Sequence, residues 1–166
     1  MKLVAFKEES SHENRLSLIP SSVKKLHDMG LEVFLPNDFG QKLKISDKDF
    51  IDAGAKMMSD DELKQNADIV VRIGSPKPDQ IQSLNPGSIH TSFLDPFNNP
   101  GLLEEFNQVN VSALSLEMIP RTTLAQKMDF LSSQANLAGY VAVITAADRL
   151  NKIFPMMMTA AGTISP

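Results

Sequence analysis

Residues 3–35 read LVAFKEESSHENRLSLIPSSVKKLHDMGLEVFL and contain two apolar runs separated by a helical pattern. The apolar runs are residues 3–6 and 31–35, and apolar side chains recur at helical spacing over residues 19–26. Such runs are typical of short strands, and this repeat is typical of one face of a helix. A strand, a helix and a second strand in this order predict a parallel crossover.

The pattern continues along the chain. Ser59 and Glu62 form a capping box that predicts a helix start, and an apolar face of Leu102, Leu103 and Phe106 predicts a later helix. The fold class expected is α/β: an open, mostly parallel, Rossmann-like or flavodoxin-like sheet with helices on both faces, ending in a long C-terminal helix. Further strands are predicted at residues 68–73, 88–94 and 111–116, and further helices at residues 46–53 and 129–150.

The first helix has a favourable first turn and C-terminal cap but an unfavourable N-cap residue. Pro20 suits a first turn and Gly30 suits a C-terminal cap, whereas Ile19 stands where Ser, Thr or Asp would cap better. We therefore expect a weakly capped N-terminus for this helix.

Composition excludes several classes of function. The chain has 166 residues, a net charge of −4, three histidines and no cysteine. No basic patch is dense enough to bind nucleic acid, and the histidines do not have the spacing of metal ligands. We therefore expect the chain to bind neither nucleic acid nor a metal ion. No apolar run reaches the length of a membrane span, and the N-terminus lacks the apolar core of a signal peptide, so a cytoplasmic chain is expected.

Residues 121–140, RTTLAQKMDFLSSQANLAGY, combine a polar loop with the start of the long helix. Asp129 and Ser132 are three residues apart and share a helix face. A stripe of small residues on the same helix would let another backbone approach closely. Two interpretations remain open from these residues alone: a capped helix packed inside the protein, or a ligand loop at a helix N-terminus. The stripe comprises Ser132, Ala135, Gly139, Ala142 and Ala146.

Several runs resemble the N-terminal domain of the alpha subunit in the proton-translocating NAD(P) transhydrogenase family, also shared with alanine dehydrogenases. The resemblance covers essentially the whole chain. It rests on Arg121, Gln126, Asp129, residues 132–134, Asn136 and residues 138–140, on residues 154–163 (FPMMMTAAGT), and on residues 7–8, 13–15 and 23–26.

The resemblance implies roles for the polar loop. Arg121 would contact the carboxamide of the NAD(H) nicotinamide or nearby oxygens, and Asp129 and Ser132 would orient the ring. Gln126 would reach the ribose and align the second nucleotide, which makes Gln126 and Asp129 the residues closest to catalysis. None would act as an acid or base, because hydride moves directly between two nicotinamides. Thr122, Thr123 and Leu124 complete the implied cofactor-binding segment, although Leu124 stands where relatives often have a second arginine.

The same resemblance implies a larger assembly. Residues 1–128 would form the α/β domain, and residues 129–166 would be a long helix and linker toward a missing C-terminal NAD-binding domain. No G-x-G-x-x-G motif is present. We therefore expect a fragment that is inactive alone. Its partners would be the NADP(H)-binding and membrane subunits, which would hold it peripherally at the inner membrane. No metal is expected, and the run of methionines at 156–158 is interpreted as flexible packing.

Two further expectations concern assembly and the related dehydrogenases. The long helix carries two apolar faces, so a homodimer is expected.

Alanine dehydrogenases use an arginine, a lysine and a histidine on a keto acid, where this chain has Arg15, Arg72 and Asp95. Arginine does not deprotonate usefully at neutral pH, which disfavours that enzyme. Arg15 and Arg72 are otherwise expected to be surface ion-pair partners, and His90 a packed or hydrogen-bonded histidine.

Overall fold

The computed structural model describes residues 1–165, apart from the side chains of Gln65 and Asn66. They form two compact units, Met1–Met118 and Ile119–Pro166. The expected division into residues 1–128 and 129–166 stays a prediction. The strands are β1 Lys2–Ala5, β2 Glu32–Pro36, β3 Ala55–Met58, β4 Ile69–Val71, β5 Ile89–Ser92, β6 Ser112–Ser115, β7 Met157–Thr159 and β8 Gly162–Ile164; the helices are α1 Pro20–Asp28, α2 Asp47–Asp52, α3 Asp60–Asn66, α4 Pro78–Gln82, α5 Pro100–Gln108 and α6 Phe130–Arg149.

The first unit is built on a six-stranded sheet with the order β3-β2-β1-β4-β5-β6. All five neighbouring pairs are parallel, and Leu3 of β1 pairs with Val33 on one side and Ile69 on the other. The chain winds outward from β1 in one direction and then outward from β4 in the other. The predicted α/β class is confirmed, and the order is that of a doubly wound fold whose switch point lies between β1 and β4.

Each face of the sheet carries its own hydrophobic core. Phe106 of α5 belongs to one core, together with residues of α3 and α4, while Val23 of α1 and Phe50 of α2 belong to the other. Alternation along β1 sends Leu3 to one core and Val4 to the other, as the strand period requires. Helices therefore lie on both faces, as predicted.

Helix ends follow their local sequence. Pro20 occupies the first turn of α1, Ile19 makes no side-chain cap, and Gly30 adopts a φ of +87° just beyond the C-terminus. The expected weak start is confirmed. At α3 the Ser59 and Glu62 capping box forms as predicted.

Some predictions about elements were wrong. Sequence patterns missed β3, α4 and the β7–β8 hairpin, which lies in the stretch expected to be a linker. On α5, Phe106 is buried as expected, but Leu103 is exposed. The chain also does not end on its long helix, because β7 and β8 pair antiparallel after it.

His90 is a buried histidine in the middle of β5. Its Nε2 lies 3.0 Å from the Oγ of Ser92, and its ring packs against Phe106 with centroids 5.1 Å apart. Burial, with a smaller contribution from Arg72, lowers the pKa of His90 to about 3. The imidazole is therefore neutral in the folded protein, and the expectation of a packed, hydrogen-bonded histidine is confirmed.

The His90 pKa predicts how stability depends on pH. Unfolded histidine titrates near 6.5, so between about pH 6.5 and 3 the unfolded chain binds a proton that the folded chain does not. Stability should fall as pH decreases through this range, by up to about 1.4 kcal/mol per pH unit from this residue. We expect His90→Leu to flatten that dependence in urea unfolding from pH 7 to 4, although it lowers stability throughout. An unchanged slope, or an equal change in the exposed control His12→Leu, would contradict the prediction.

Candidate functional site

The carboxyl ends of β1 and β4 meet at the switch point, where Glu8 joins them. Its carboxylate accepts the backbone N–H of Ile73 through Oε1 at 2.7 Å and that of Gly74 through Oε2 at 3.2 Å. In doubly wound folds this crevice is where ligands bind. Here a carboxylate of the chain itself satisfies the two backbone donors.

Glu117 makes an equivalent contact one strand further along. Its carboxylate accepts the backbone N–H of Leu94 at 3.0 Å and also a short hydrogen bond from the N–H of Asp95, just after β5. Burial alone would raise the pKa of Glu117, but the hydrogen bonds outweigh it and hold that pKa below its usual range. The carboxylate is therefore charged at neutral pH and ties the end of β5 to the turn that follows β6.

Arg72 lies at the same edge and is 8 % exposed. Its guanidinium stacks over the ring of Phe6, 4.4 Å from the centroid, and borders two cavities of about 230 and 340 Å³. Burial lowers the pKa of Arg72, and the carboxylates of Glu8 and Glu9 oppose that shift. The expectation of a surface ion-pair partner was therefore wrong for Arg72. Its side chain is buried, and its cation makes a cation–π contact with the ring of Phe6.

The three positions compared with alanine dehydrogenase are otherwise engaged. Arg15 pairs with Glu13, with Nη2 and Oε2 2.5 Å apart, which confirms the ion pair expected for this residue. The side chain of Asp95 accepts hydrogen bonds from Asn98 at 2.9 and 3.0 Å. Neither residue borders the two cavities beside Arg72.

The second unit contains the sequence-predicted site residues. Asp129 is the N-cap of α6: its Oδ1 accepts the backbone N–H of Ser132 at 2.9 Å, and its Oδ2 accepts the Ser132 hydroxyl at 2.6 Å. These hydrogen bonds, with a weaker contribution from the Arg121 cation, lower the pKa of Asp129. The structure thus brings Asp129 and Ser132 together as predicted and leaves the carboxylate ionised.

The residues before Asp129 form a tight turn. Thr122 accepts the backbone N–H groups of Ala125 and Gln126 at 3.0 Å through its carbonyl, which starts a 3₁₀ turn over Ala125–Met128. The Asp129 N–H donates to the carbonyl of Gln126 at 3.3 Å, so the turn runs directly into the cap of α6. Among the predicted site residues, those with exposed side chains are Arg121, Thr122, Thr123, Leu124, Gln126 and Ser132. Lys127 and Met128 are exposed as well.

Helix α6 buries none of its residues. The interpretation of a helix packed inside the protein is therefore wrong for this chain. A Cβ added to Gly139 would meet nothing within 4 Å, so the described residues do not make the close approach that the small stripe predicts. Leu137, Val141 and Ile144 are each more than half exposed.

The described residues contain neither a membrane-spanning helix nor a metal cluster. No helix within residues 1–165 combines the length and the apolar character needed to cross a membrane. In the same part of the chain, no three His, Asp or Glu side chains are grouped so that they could hold a metal ion.

Sequence reasoning missed Glu8 and Glu117 as functional candidates. Glu8 lies 65 residues from Ile73 along the chain, and Glu117 lies 23 residues from Leu94, so no local pattern links donor and acceptor. The only available signal was that each glutamate follows a predicted strand at the carboxyl edge of a parallel sheet.

The sheet order and its occupied carboxyl edge define a doubly wound α/β domain. The family model for the alanine dehydrogenase/PNT N-terminal domain matches residues 4–138. The chain belongs to this family, and the predicted resemblance is confirmed.

Named relatives agree with the family assignment. NAD(P) transhydrogenase subunit alpha of Cereibacter sphaeroides is 35% identical over 167 residues, which cover 100% of this chain and 32% of the relative. NAD(P) transhydrogenase subunit alpha of Haemophilus influenzae is 32% identical over 160 residues, which cover 96% of this chain and 31% of the relative. The chain therefore spans less than half the length of these relatives.

Solved structures share the fold. The crystal structure of transhydrogenase from Sinorhizobium meliloti matches with a TM-score of 0.87 and 36% identity, covering 97% of this chain and 49% of that one. A structure of L-alanine dehydrogenase matches with a TM-score of 0.80 over 89% of this chain and 40% of its own, at 24% identity, which shows the fold alone.

Proposed function

We propose that this chain is the N-terminal part of the NAD(H)-binding component of an NAD(P) transhydrogenase. The observation that carries the proposal is the exposed polar segment from Arg121 to Ser132, fixed by the Asp129 cap of α6. The family match and the relatives named as transhydrogenase alpha subunits support it. The reaction would pass hydride between NAD(H) and NADP(H), and partner domains would couple it to proton translocation.

The donor set of the segment suits a nicotinamide. Its carboxamide both donates and accepts hydrogen bonds, and the guanidinium of Arg121 and the amide of Gln126 supply donors and an acceptor. Asp129 is ionised and already held by Ser132, so its carboxylate can fix an orientation without moving a proton. The bound nucleotide supplies the hydride chemistry, and these residues supply position and electrostatics. Thr122, Thr123 and Leu124 would border the ring.

The remaining components of the assembly follow from the same proposal. A nucleotide-binding domain would complete the NAD(H) site, and NADP(H) would lie on a partner domain. Membrane subunits would carry the proton pathway, so this domain would be cytoplasmic and peripherally associated with the inner membrane. The chain covers under half of its curated relatives, which leaves room in them for further domains.

One second candidate is favoured by a specific observation. The apolar residues left exposed on α6 would suit a non-catalytic module whose role is to pack against a nucleotide-binding domain. An alanine dehydrogenase is disfavoured, because Arg72 and Asp95 replace the residues that would bind and protonate a keto acid.

Substitutions in the polar segment separate the first two candidates. In the assembled transhydrogenase, Arg121→Ala and Asp129→Asn should each slow hydride transfer on the order of tenfold to a hundredfold, because each removes one charged contact at the ring. Asn also caps helices well, so the fold should persist. The matched controls are Arg149→Ala and Asp148→Asn, at exposed positions outside the segment, and they should leave the rate unchanged. Full rates in both site variants would rule out the assignment and favour the packing module.

We also propose that the chain forms a two-fold homodimer through α6. The helix presents the small stripe around Gly139 and the larger row around Val141 to solvent, and small residues permit close helix approach. A C2 interface would cover the same patch on both copies.

The dimer can be tested at Gly139. A Cβ at this exposed position meets nothing within 4 Å among the described residues, so Gly139→Leu should leave folding intact while it blocks the close approach of a second helix. Sedimentation at micromolar concentration should show a dimer for the wild type and mostly monomer for this variant. Lys24→Leu on α1 adds the same side chain at an exposed site and should remain dimeric. A wild-type monomer, or a dimer unaffected by Gly139→Leu, would contradict the proposal.

A further inference from the structure

Arg72 is a buried cation whose hydrogen-bonding capacity is left unused by the described part of the chain. Its side chain is 8 % exposed, and its guanidinium lies over the ring of Phe6. Within residues 1–165, leaving aside the side chains of Gln65 and Asn66, the guanidinium makes no hydrogen bond and no ion pair. A guanidinium has five N–H donors, and a buried charge is normally paired and hydrogen-bonded. The cation–π contact with Phe6 leaves these donors without an oxygen acceptor.

The same side chain borders a cavity of about 230 Å³, which we call the α3–α4 cavity. Helix α3 contributes Asp60 and Lys64 to its walls, α4 contributes Asp79, and the loop after β1 contributes Lys7. All of these residues belong to the unit Met1–Met118. A buried, unpaired guanidinium beside a cavity lined by further charged groups indicates a site for a ligand that brings its own acceptors.

The two glutamates nearest in sequence to Phe6 are engaged with other partners. The carboxylate of Glu8 accepts two backbone N–H groups at the end of β4. That of Glu9 lies 2.6 Å from the ammonium of Lys77 and accepts a hydrogen bond from the amide of Gln80 at 2.5 Å. Their negative charges favour the buried cation through space and oppose the effect of burial on the Arg72 pKa. They accept none of its N–H groups, so those donors stay available to a ligand.

The charges around the α3–α4 cavity select the charge of that ligand. Lys7 and Lys64 line the cavity together with Arg72 and attract an anion. Asp60 and Asp79 line it as well, and they repel a doubly charged anion more strongly than a singly charged one. A small anion with one charge therefore fits this cavity better than a dianion does.

We propose that the α3–α4 cavity binds a small, singly charged oxyanion whose oxygens accept hydrogen bonds from the Arg72 guanidinium. The planar guanidinium can donate two parallel hydrogen bonds to such a group, and charge-assisted hydrogen bonds of this kind are strong. Of the three positions compared with alanine dehydrogenase, Arg15 and Asp95 do not border this cavity. The site uses none of residues 121–132, so this inference goes beyond the proposed function and does not rest on it.

Acetate titration of the isotopically labelled 166-residue chain tests the site through the arginine Nε–H signals in NMR spectra. The signal that Arg72→Lys removes is assigned to Arg72. It should shift saturably with acetate, with the millimolar affinity that is expected of so small a ligand. Sulfate should bind more weakly, because it is a dianion, and chloride at equal ionic strength should give no saturable shift.

Substitutions show whether the response comes from this cavity. Arg72→Met removes the donors and should abolish the acetate response of the Gln80 and Ser83 amides, whose residues line the cavity. Arg72→Lys keeps the cation but loses the paired donors, so its affinity should fall on the order of tenfold. Lys7→Ala should also weaken binding. The matched control Lys25→Ala, on α1 at the other face of the sheet, should bind acetate as the wild type does.

Three results would overturn the inference. They are the lack of a saturable response to acetate, an equal response to chloride, and an unchanged acetate affinity in Arg72→Lys and Lys7→Ala. The last two variants decide the question even if Arg72→Met does not fold, because both retain a cation at position 72. No nucleotide is present in these titrations, so failure here is distinct from failure of the proposed hydride transfer.

Discussion

Every strand of the six-stranded sheet runs parallel, so all carboxyl ends and their unpaired backbone N–H groups emerge at one edge. Buried N–H groups must find acceptors, and in doubly wound proteins an anionic ligand often serves. Here the carboxylates of Glu8 and Glu117 serve instead, at the ends of β4 and β5. These hydrogen bonds tie the loop after β1 to the end of β4, and the turn after β6 to the end of β5.

The charged side chains near the switch point contact other side chains of the same unit. Arg72 stacks on Phe6, and Glu9 pairs with Lys77 at 2.6 Å. The polar groups proposed to contact a nicotinamide lie in the second unit, where Asp129 accepts a hydrogen bond from Ser132 at the start of α6. Within one chain, the charged side chains at the sheet edge contact one another, and the turn before α6 carries the residues of the proposed site.

The sequence predicted those helices and strands that have strong hydrophobic periodicity or clear capping residues. The parallel crossover, the Ser59 capping box and the long helix were all predictable because their signals are local. The edge strand β3, with sequence AKMM, was not, since a four-residue strand at a sheet edge depends on pairing with β2 rather than on its own pattern. The pairing of Asp129 with Ser132 was predictable from spacing, but the burial of Arg72 depends on Phe6, 66 positions earlier.

The central claim is that a nicotinamide ring meets this chain at the segment from Arg121 to Ser132. A crystal structure of the assembled transhydrogenase with bound NADH tests it most directly. The account predicts the ring carboxamide within hydrogen-bonding distance of Arg121, with Asp129 and Ser132 beside the ring and Glu8 still bound to the N–H groups of Ile73 and Gly74. A ring seated in the cavities beside Arg72, or one with no contact to residues 121–132, would contradict it.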